Sequence, residues 1–358
     1  MHPDSAELAL PQVDVLGLAR RAVVPAAVVA AAVVAFMLVQ GRLGLLADAF
    51  DRALNADWRW VAAGAALELL SFAGYVALLW LVAGRATPRI DLRRAVEITL
   101  GGAAATRLLP TAGVGGAALT LWVFRRAGMG KRESTRTLLT FLVLLYAVFL
   151  GAIAVSGAVT AAGGHGPLTL SAIPALIAAT GFAIALALGL QRRGAPADAI
   201  PAGGRVRRGA AVLGDATADA MALLRARDAR LLGAAAWWLF DAAVLWAMLS
   251  AFGAAHALAV VALAYFVGQV GNALPVPGAV SGGMVGVLLA FGVEADLAVV
   301  SVLAYRAIAI WLPAPIGLVA LGGLRRTVSR WAHERAGETT VDGQPADRRP
   351  VGRPRVAA

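Results

Sequence analysis

Two arginines lie inside long apolar stretches of the sequence, where a charged side chain is costly. Arg107 stands three residues before Pro110, and Arg306 follows Tyr305 in the last apolar stretch of the chain. An arginine in mid-bilayer costs at least about 2.5–3.5 kcal/mol on insertion scales, so each one needs a partner or a hydrated cavity. The planar guanidinium fork also matches phosphate oxygens, so both arginines are candidates for holding an anionic group.

Two acids, Glu68 and Asp241, lie in apolar stretches of their own. Two acids and two arginines could pair off completely, as buried ion pairs that lock helices together. The functional alternative is that an anionic substrate competes with a carboxylate for the same guanidinium, and this is our working hypothesis. A proton relay through the two acids also stays open, because the sequence does not determine their pKa values.

Proline and glycine interrupt two further apolar segments, 95–127 and 257–293. The limbs of the first segment are shorter than the roughly 20 residues that a span needs, so we predict a re-entrant hairpin for each, with two short spans as the alternative. Backbone that leaves helical geometry inside a bilayer is tolerated only in buried protein or along a wet cavity. The residues at the breaks that we expect to line such a cavity are Pro110, Gly113, Asn272, Pro275 and Gly278.

The amides of Gln269 and Asn272 flank the second break. Such amides can satisfy backbone groups that a broken helix leaves unpaired. We expect this role for them, with substrate contact as the alternative.

The remaining apolar runs are long enough to be membrane helices. Hydrophobic residues make up 60% of the chain and charged residues 15%, with a mean hydropathy of +0.76, whereas soluble domains carry roughly a quarter charged residues. The six runs that could cross the roughly 30 Å hydrocarbon layer are 22–41, 59–83, 136–160, 167–190, 230–252 and 297–323. The predicted fold class is an all-α polytopic membrane protein with about six full transmembrane helices plus two re-entrant hairpins.

The basic residues predict which loops face the cytoplasm, because Arg and Lys collect on that side. With both termini inside, nearly all of the 32 basic residues fall in cytoplasmic segments. The exceptions in outer segments are Arg42, Arg52 and Arg59. Treating the first broken segment as one span would carry the cluster 125–136 outside, which favours the hairpin. Lys131 is the single lysine, which together with the Ala and Gly content points to a high-GC bacterium and hence to the bacterial cytoplasmic membrane.

The two broken segments resemble each other, and each follows a helix that carries one acid. The run 106–113 with Gly115 and Gly116 aligns with 271–278 with Gly282 and Gly283. The predicted topology gives the halves, 59–160 and 230–323, opposite orientations. Inverted repeats with broken helices are typical of secondary transporters, whose substrate sites lie near the midplane. The membrane domain covers 20–325, with a cytoplasmic tail 1–19, a cytoplasmic loop 191–229 and a basic disordered cytoplasmic tail 326–358.

Several classes of function are excluded or disfavoured. The chain has no cysteine, which excludes disulfides, thiolate metal sites and cysteine nucleophiles. A net charge of +11 would suggest nucleic acid only if the basic residues formed a patch on a soluble domain, and here they lie in short loops. His165 and His256 are isolated, so we expect no metal, no cofactor and no enzymatic activity.

The motifs resemble a known family. The runs 105–113 and 122–128 are similar to the first signature of the lysylphosphatidylglycerol synthase transmembrane-region family, and 271–278 with Tyr305-Arg306 and 311–313 resemble its second. The resemblance covers about 20–325 and implies a flippase-like membrane unit. Well-known relatives fuse this unit to an aminoacyl-transferase domain, for which this chain has no room, so we do not predict aminoacyl transfer. The second break also lacks the longer glycine-rich turn and acid of similar sequences, so the resemblance does not imply acid-dependent coupling at that loop.

Two functions follow as expectations. The first is a lipid flippase or translocase that moves an anionic or phosphate-bearing lipid between leaflets, with membrane lipids as its partners. The alternative is a non-catalytic membrane subunit that scaffolds a lipid- or glycan-modifying partner enzyme. An intramembrane enzyme is disfavoured because the sequence shows no nucleophile or acid/base pair with recognisable spacing. The sequence does not determine the lipid, the energy source or the oligomeric state.

Overall fold

The computed structural model describes residues 51–52, 54–108, 114–164, 166–193, 204–253, 256–273 and 278–341. Every regular element in these ranges is helical. The α-helices are α1 (Trp58–Ala86), α2 (Leu92–Leu108), α3 (Val114–Arg126), α4 (Lys131–Ala162), α5 (Leu168–Gln191), α6 (Arg205–Arg225), α7 (Leu232–Phe252), α8 (Leu258–Gln269), α9 (Ala279–Ala290), α10 (Ala295–Trp311) and α11 (Pro313–Val341). Short 3₁₀ helices, Ala229–Leu231 and Val270–Ala273, precede α7 and follow α8.

Five stretches of the described chain are long and apolar enough to cross a membrane, and they coincide with five of the six predicted spans. The sixth, 22–41, lies outside the described residues. Helix α5 shows why a bilayer must surround the bundle: Leu176 and Ile177 are 67% and 68% exposed although both are aliphatic. The centre of the bundle is formed by α7 and α8, where residues such as Leu245 and Ala264 are fully buried.

The last predicted span contains a helix boundary, and the prediction for the C-terminal tail needs correction. The run 297–323 is two consecutive helices, since α10 ends at Trp311 and α11 begins at Pro313. Proline suits a first helical position because it lacks the N–H that would be unpaired there. Helix α11 then continues to Val341, so 326–341 is helical rather than disordered, and the rest of the predicted tail lies outside the described residues.

The predicted loop 191–229 contains the amphipathic helix α6, which packs on α5 and α4. Asp215 on α6 forms an ion pair with Arg192 at 2.7 Å, and Asp219 accepts hydrogen bonds from Arg136. Arg192 and Arg136, which the charge pattern assigned to cytoplasmic segments, thus have partners on α6. They hold α6 against the ends of two membrane helices.

Helices α1 and α7, the first helices of the two proposed halves, form the most extensive contact in the bundle and run antiparallel. Residue numbers along α7 fall as the numbers of their contact partners along α1 rise. The successive contacts are Asp57 with Ala251, Trp60 with Trp246, Phe72 with Trp237, and Gly74 with Gly233. At the last of these a Cβ on Gly233 would lie 2.2 Å from the Gly74 carbonyl oxygen, so the two backbones touch.

Each pair of short helices closes through facing glycines. In α2 and α3, a Cβ on Gly116 would lie 3.0 Å from the carbonyl oxygen of Gly102. In α8 and α9, a Cβ on Gly283 would lie 3.1 Å from the Cα of Gly268. Small residues let helix backbones approach closely in membranes. Gly116 and Gly283, at corresponding positions of the two aligned motifs, therefore have the same role in helix packing.

Each half also packs a short helix against the last helix of the other half. Helix α8 packs against α4, the long helix that ends the first half, and α2 packs against α11 at the end of the second half. The α2–α11 contact includes the buried Glu97, which accepts a hydrogen bond from Thr327 at 3.4 Å and pairs with Arg94 at 3.0 Å. Glu97 thus ties two helices together.

Ion pairs at the ends of the helices join segments that are predicted to face the same side of the membrane. Arg52 pairs with Glu294 and Asp296 at 2.5 Å, and all three lie in segments predicted to face outward. Arg85 lies 3.8 Å from Asp228, and both belong to segments predicted to face inward. The grouping agrees with the sidedness predicted from the arginines.

Candidate functional site

A buried carboxylate lies where three helices meet. Asp241 of α7 is 4% exposed and accepts a hydrogen bond from the Tyr265 hydroxyl of α8 at 2.5 Å. The Tyr305 hydroxyl of α10 lies 3.3 Å from the same carboxylate oxygen. Hydrogen bonds to a charged acceptor in a low-dielectric interior are among the stronger ones in proteins. The two tyrosines therefore offset part of the cost of burying Asp241.

A chain of polar side chains leads from this carboxylate to the second break. The Gln269 amide donates to the Tyr305 hydroxyl at 3.1 Å, and the Asn272 amide donates to Gln269 Oε1 at 2.6 Å. Asn272 is exposed and lies in the 3₁₀ turn that directly precedes the break. Among the described residues the two amides bond side chains, and the backbone at 274–277 that we expected them to cap lies outside those residues. The arrangement is a continuous polar path from an exposed surface to a buried acid.

Tyr265 was missed by sequence reasoning. It lies in the apolar run of α8, four residues before Gln269, and is fully buried. A tyrosine hydroxyl in such a run needs a buried partner, which was the available signal. The partner's position, 24 residues earlier on another helix, follows only from the packing of α7 against α8.

Arg306 does not form the ion pair proposed for it. It is half-buried on α10 next to Tyr305, and none of the ion pairs among the described side chains includes it. The described hydrogen bonds to Asp241 come from the hydroxyl groups of Tyr265 and Tyr305. The predicted pairing of Arg306 with Asp241 or Glu68 is therefore corrected.

The first break is described in part. Glu68 is 1% exposed on α1, and Arg107 stands in the last turn of α2, with its side chain outside the described part of the structure. Because the Arg107 side chain is not described, a pairing of Glu68 with Arg107 stays a prediction. Pro110 and Gly113 also lie outside the described residues. The Thr106 hydroxyl accepts a hydrogen bond from the Gly116 N–H at 2.9 Å, which satisfies one of the N–H groups that open α3.

Gly278 begins α9 in a left-handed conformation, with φ of 81°. Its carbonyl oxygen accepts the Gly282 N–H at 2.7 Å, the first bond of the helix. Glycine adopts this conformation without the steric cost that a Cβ brings. Pro275 lies outside the described residues. Among the described side chains, no three His, Asp or Glu residues converge in a way that would hold a metal ion.

These features define a class of protein. Apolar helices long enough to span a bilayer surround a small polar cluster, and α8 ends beside that cluster, so the chain is a multi-pass helical membrane protein. A model of the lysylphosphatidylglycerol synthase TM region matches residues 21–317. The match covers most of the chain, so the protein belongs to this family, and the resemblance carried by the two motifs is confirmed. No curated protein matches the sequence.

Proposed function

We propose that this protein is a translocase that moves an anionic or phosphate-bearing lipid between the leaflets of the bacterial cytoplasmic membrane. The observation that carries the proposal is the polar path from Asn272 to Asp241 inside an otherwise apolar bundle. Such a path suits a head group that must leave water, since it offers hydrogen-bonding groups at membrane depth. Membership in a family of membrane units with a lipid-related role supports the same conclusion.

Contacts between the two halves support the proposed inverted repeat, and the cytoplasmic placement of the termini rests on the distribution of basic residues. Antiparallel α1 and α7, and the reciprocal packing of each short helix on the other half, are the contacts that such a repeat requires. In this mechanism Arg306 and Arg107 hold the anionic head group near the two breaks. Glu68 compensates Arg107 when the head group is absent, whereas Asp241 accepts hydrogen bonds from Tyr265 and Tyr305. The protein forms no covalent bond with the lipid.

A leaflet assay tests the proposal. Purified protein in liposomes is given lipids with a fluorescent label, and the fraction reached by a membrane-impermeant quencher is followed over time. We expect the chain to accelerate exchange between leaflets, and Arg306→Ala and Arg107→Ala to slow it at least tenfold. Arg59→Ala, at an exposed position before the membrane part of α1, is the matched control and keeps full activity. If no labelled lipid exchanges faster than in empty liposomes, the proposal is wrong.

The alternative, a scaffold for a lipid- or glycan-modifying enzyme, makes a different prediction. A scaffold co-purifies with that enzyme and shows no activity alone in liposomes. Exchange by the isolated chain therefore separates the two functions.

A further inference from the structure

A groove runs along the outside of the bundle between α1, α2 and the junction of α10 with α11. Its volume is about 410 Å³, within the range of small-molecule sites. One wall is the face of α1 from Glu68 to Trp80, and another is α2 from Leu92 to Leu100. Apart from Glu68 and Arg230, every side chain that lines it is apolar.

The two ends of the groove differ in charge and position. Helix α2 folds back along α1 after a short connection, which places Leu92 beside the Trp80 end. Helix α11 runs antiparallel to α2, since Gly317 approaches Leu100 and Gly323 approaches Glu97. The start of α11 therefore lies at the Glu68 end. Glu68 and Trp80 are twelve residues apart, about 18 Å along a helix axis, which is little more than one leaflet of a roughly 30 Å hydrocarbon layer.

The Trp80 end carries excess positive charge. The Arg230 guanidinium lies 4.7 Å from the centre of the Trp80 ring, and it pairs with Asp228 at 2.7 Å. Arg85 lies 3.8 Å from the same carboxylate. Hydrogen bonds from Arg230 lower the pKa of Asp228 to about 2, so one negative charge faces two positive ones at neutral pH.

We propose that the groove holds one acyl chain of a cytoplasmic-leaflet phospholipid, with its anionic head group at Arg85 and Arg230. The groove has the length of a leaflet, its walls are apolar, and its charged end lies among the segments predicted to face the cytoplasm. Because lipid tails are already in an apolar medium, the walls add little preference of their own. Selectivity therefore comes from the arginines. The inference rests on the proposed function, since it names the place where a lipid is held before its head group reaches the polar path.

Photocrosslinking tests this inference. The full chain is placed in phosphatidylcholine nanodiscs with a trace of phosphatidylglycerol that carries a diazirine near the end of one acyl chain. Mass spectrometry then maps the adducts. We expect adducts on the facing surfaces of α1 and α2, and at least fivefold less of this labelling in Ala73→Trp or Ala77→Leu, which fill the groove. Ala66→Trp, exposed on α1 outside the groove, is the matched control and keeps the labelling.

The head-group assignment is tested in the same way. We expect Arg230→Ala to reduce labelling by the phosphatidylglycerol probe about fivefold, the effect of one cation at a membrane surface. A phosphatidylcholine probe with the same chain should be unaffected by this change. The inference is wrong if Ala73→Trp leaves the labelling unchanged, or if both probes label the native chain equally. Groove labelling without leaflet exchange would contradict the proposed function and support the lipid site in the groove. Leaflet exchange without groove labelling would contradict the lipid site and support the proposed function.

Discussion

At the residue scale, the central feature is a carboxylate stabilised by hydroxyl groups. Asp241 is buried among apolar helices, where an isolated charge is expensive. Tyr265 and Tyr305 provide donors without adding positive charge. Arg306, one residue beyond Tyr305, lies outside every ion pair among the described side chains, which suits its proposed role of holding an anion.

Tyr265→Phe removes the shorter of the two hydrogen bonds to Asp241. We expect it to lower the free energy of unfolding by about 1.5–3 kcal/mol, because the acceptor is a buried charged group. Tyr305→Phe removes the longer bond to Asp241 and also the bond from the Gln269 amide, so we expect a cost in the same range. Thermal unfolding of the detergent-purified protein measures both.

Tyr146→Phe is the control for this pair. Tyr146 is 49% exposed, so loss of its hydroxyl should change stability by less than about 0.5 kcal/mol. Equal stability of all three variants would show that the hydroxyl groups do not stabilise Asp241.

At the element scale, glycines determine how the short helices pack. Gly268 in α8 faces α9 so closely that a Cβ there would lie 2.3 Å from Cγ of Met284 and 2.9 Å from its backbone nitrogen. Gly282, on α9, has no heavy atom within 4 Å of the same position. The two glycines lie in one hairpin but serve different purposes.

Gly268→Ala should therefore separate α8 from α9. We expect it to destabilise the protein by about 1–3 kcal/mol, the usual cost of overpacking. Gly282→Ala should instead stabilise by about 0.5–1 kcal/mol, because alanine loses less backbone entropy in a helix. Thermal unfolding in detergent compares them, and an equal effect of the two changes would contradict the close packing of the hairpin.

At the scale of the whole molecule, the two halves are expected to enter the membrane from opposite sides. The antiparallel contact of α1 with α7 requires opposite directions for these helices. Since α2 and α8 follow them, their first residues should lie at opposite membrane faces. Arg93 and Leu258 mark these positions, and both are exposed.

The absence of native cysteine allows a direct test of this orientation. In intact spheroplasts, a membrane-impermeant maleimide should label Leu258→Cys. It should label Arg93→Cys only after permeabilisation. Val206→Cys, exposed on α6 in the basic loop between α5 and α7, is the control and should behave like Arg93→Cys. Labelling of Arg93→Cys and Leu258→Cys from the same side would rule out the inverted repeat.

Much of the fold could be predicted from the apolar pattern, but the segments outside it could not. The five described spans were found because a bilayer demands long uninterrupted apolar helices. Helix α6 was missed because its charges, such as Asp215 and Asp219, resemble those of a solvated loop until their arginine partners are known. The extension of α11 was missed because its polar end lies beyond the apolar run.

The length of the apolar runs and the local motifs were sufficient to assign the class of the protein, its family and the location of the two breaks. Which polar groups meet depends instead on how the helices pack. The sequence offered Arg107 and Arg306 as partners for Asp241, whereas its contacts with Tyr265 and Tyr305 depend on which faces of α7, α8 and α10 pack together. Such pairings join residues distant in the chain, and no local pattern encodes the rotation of one helix against another.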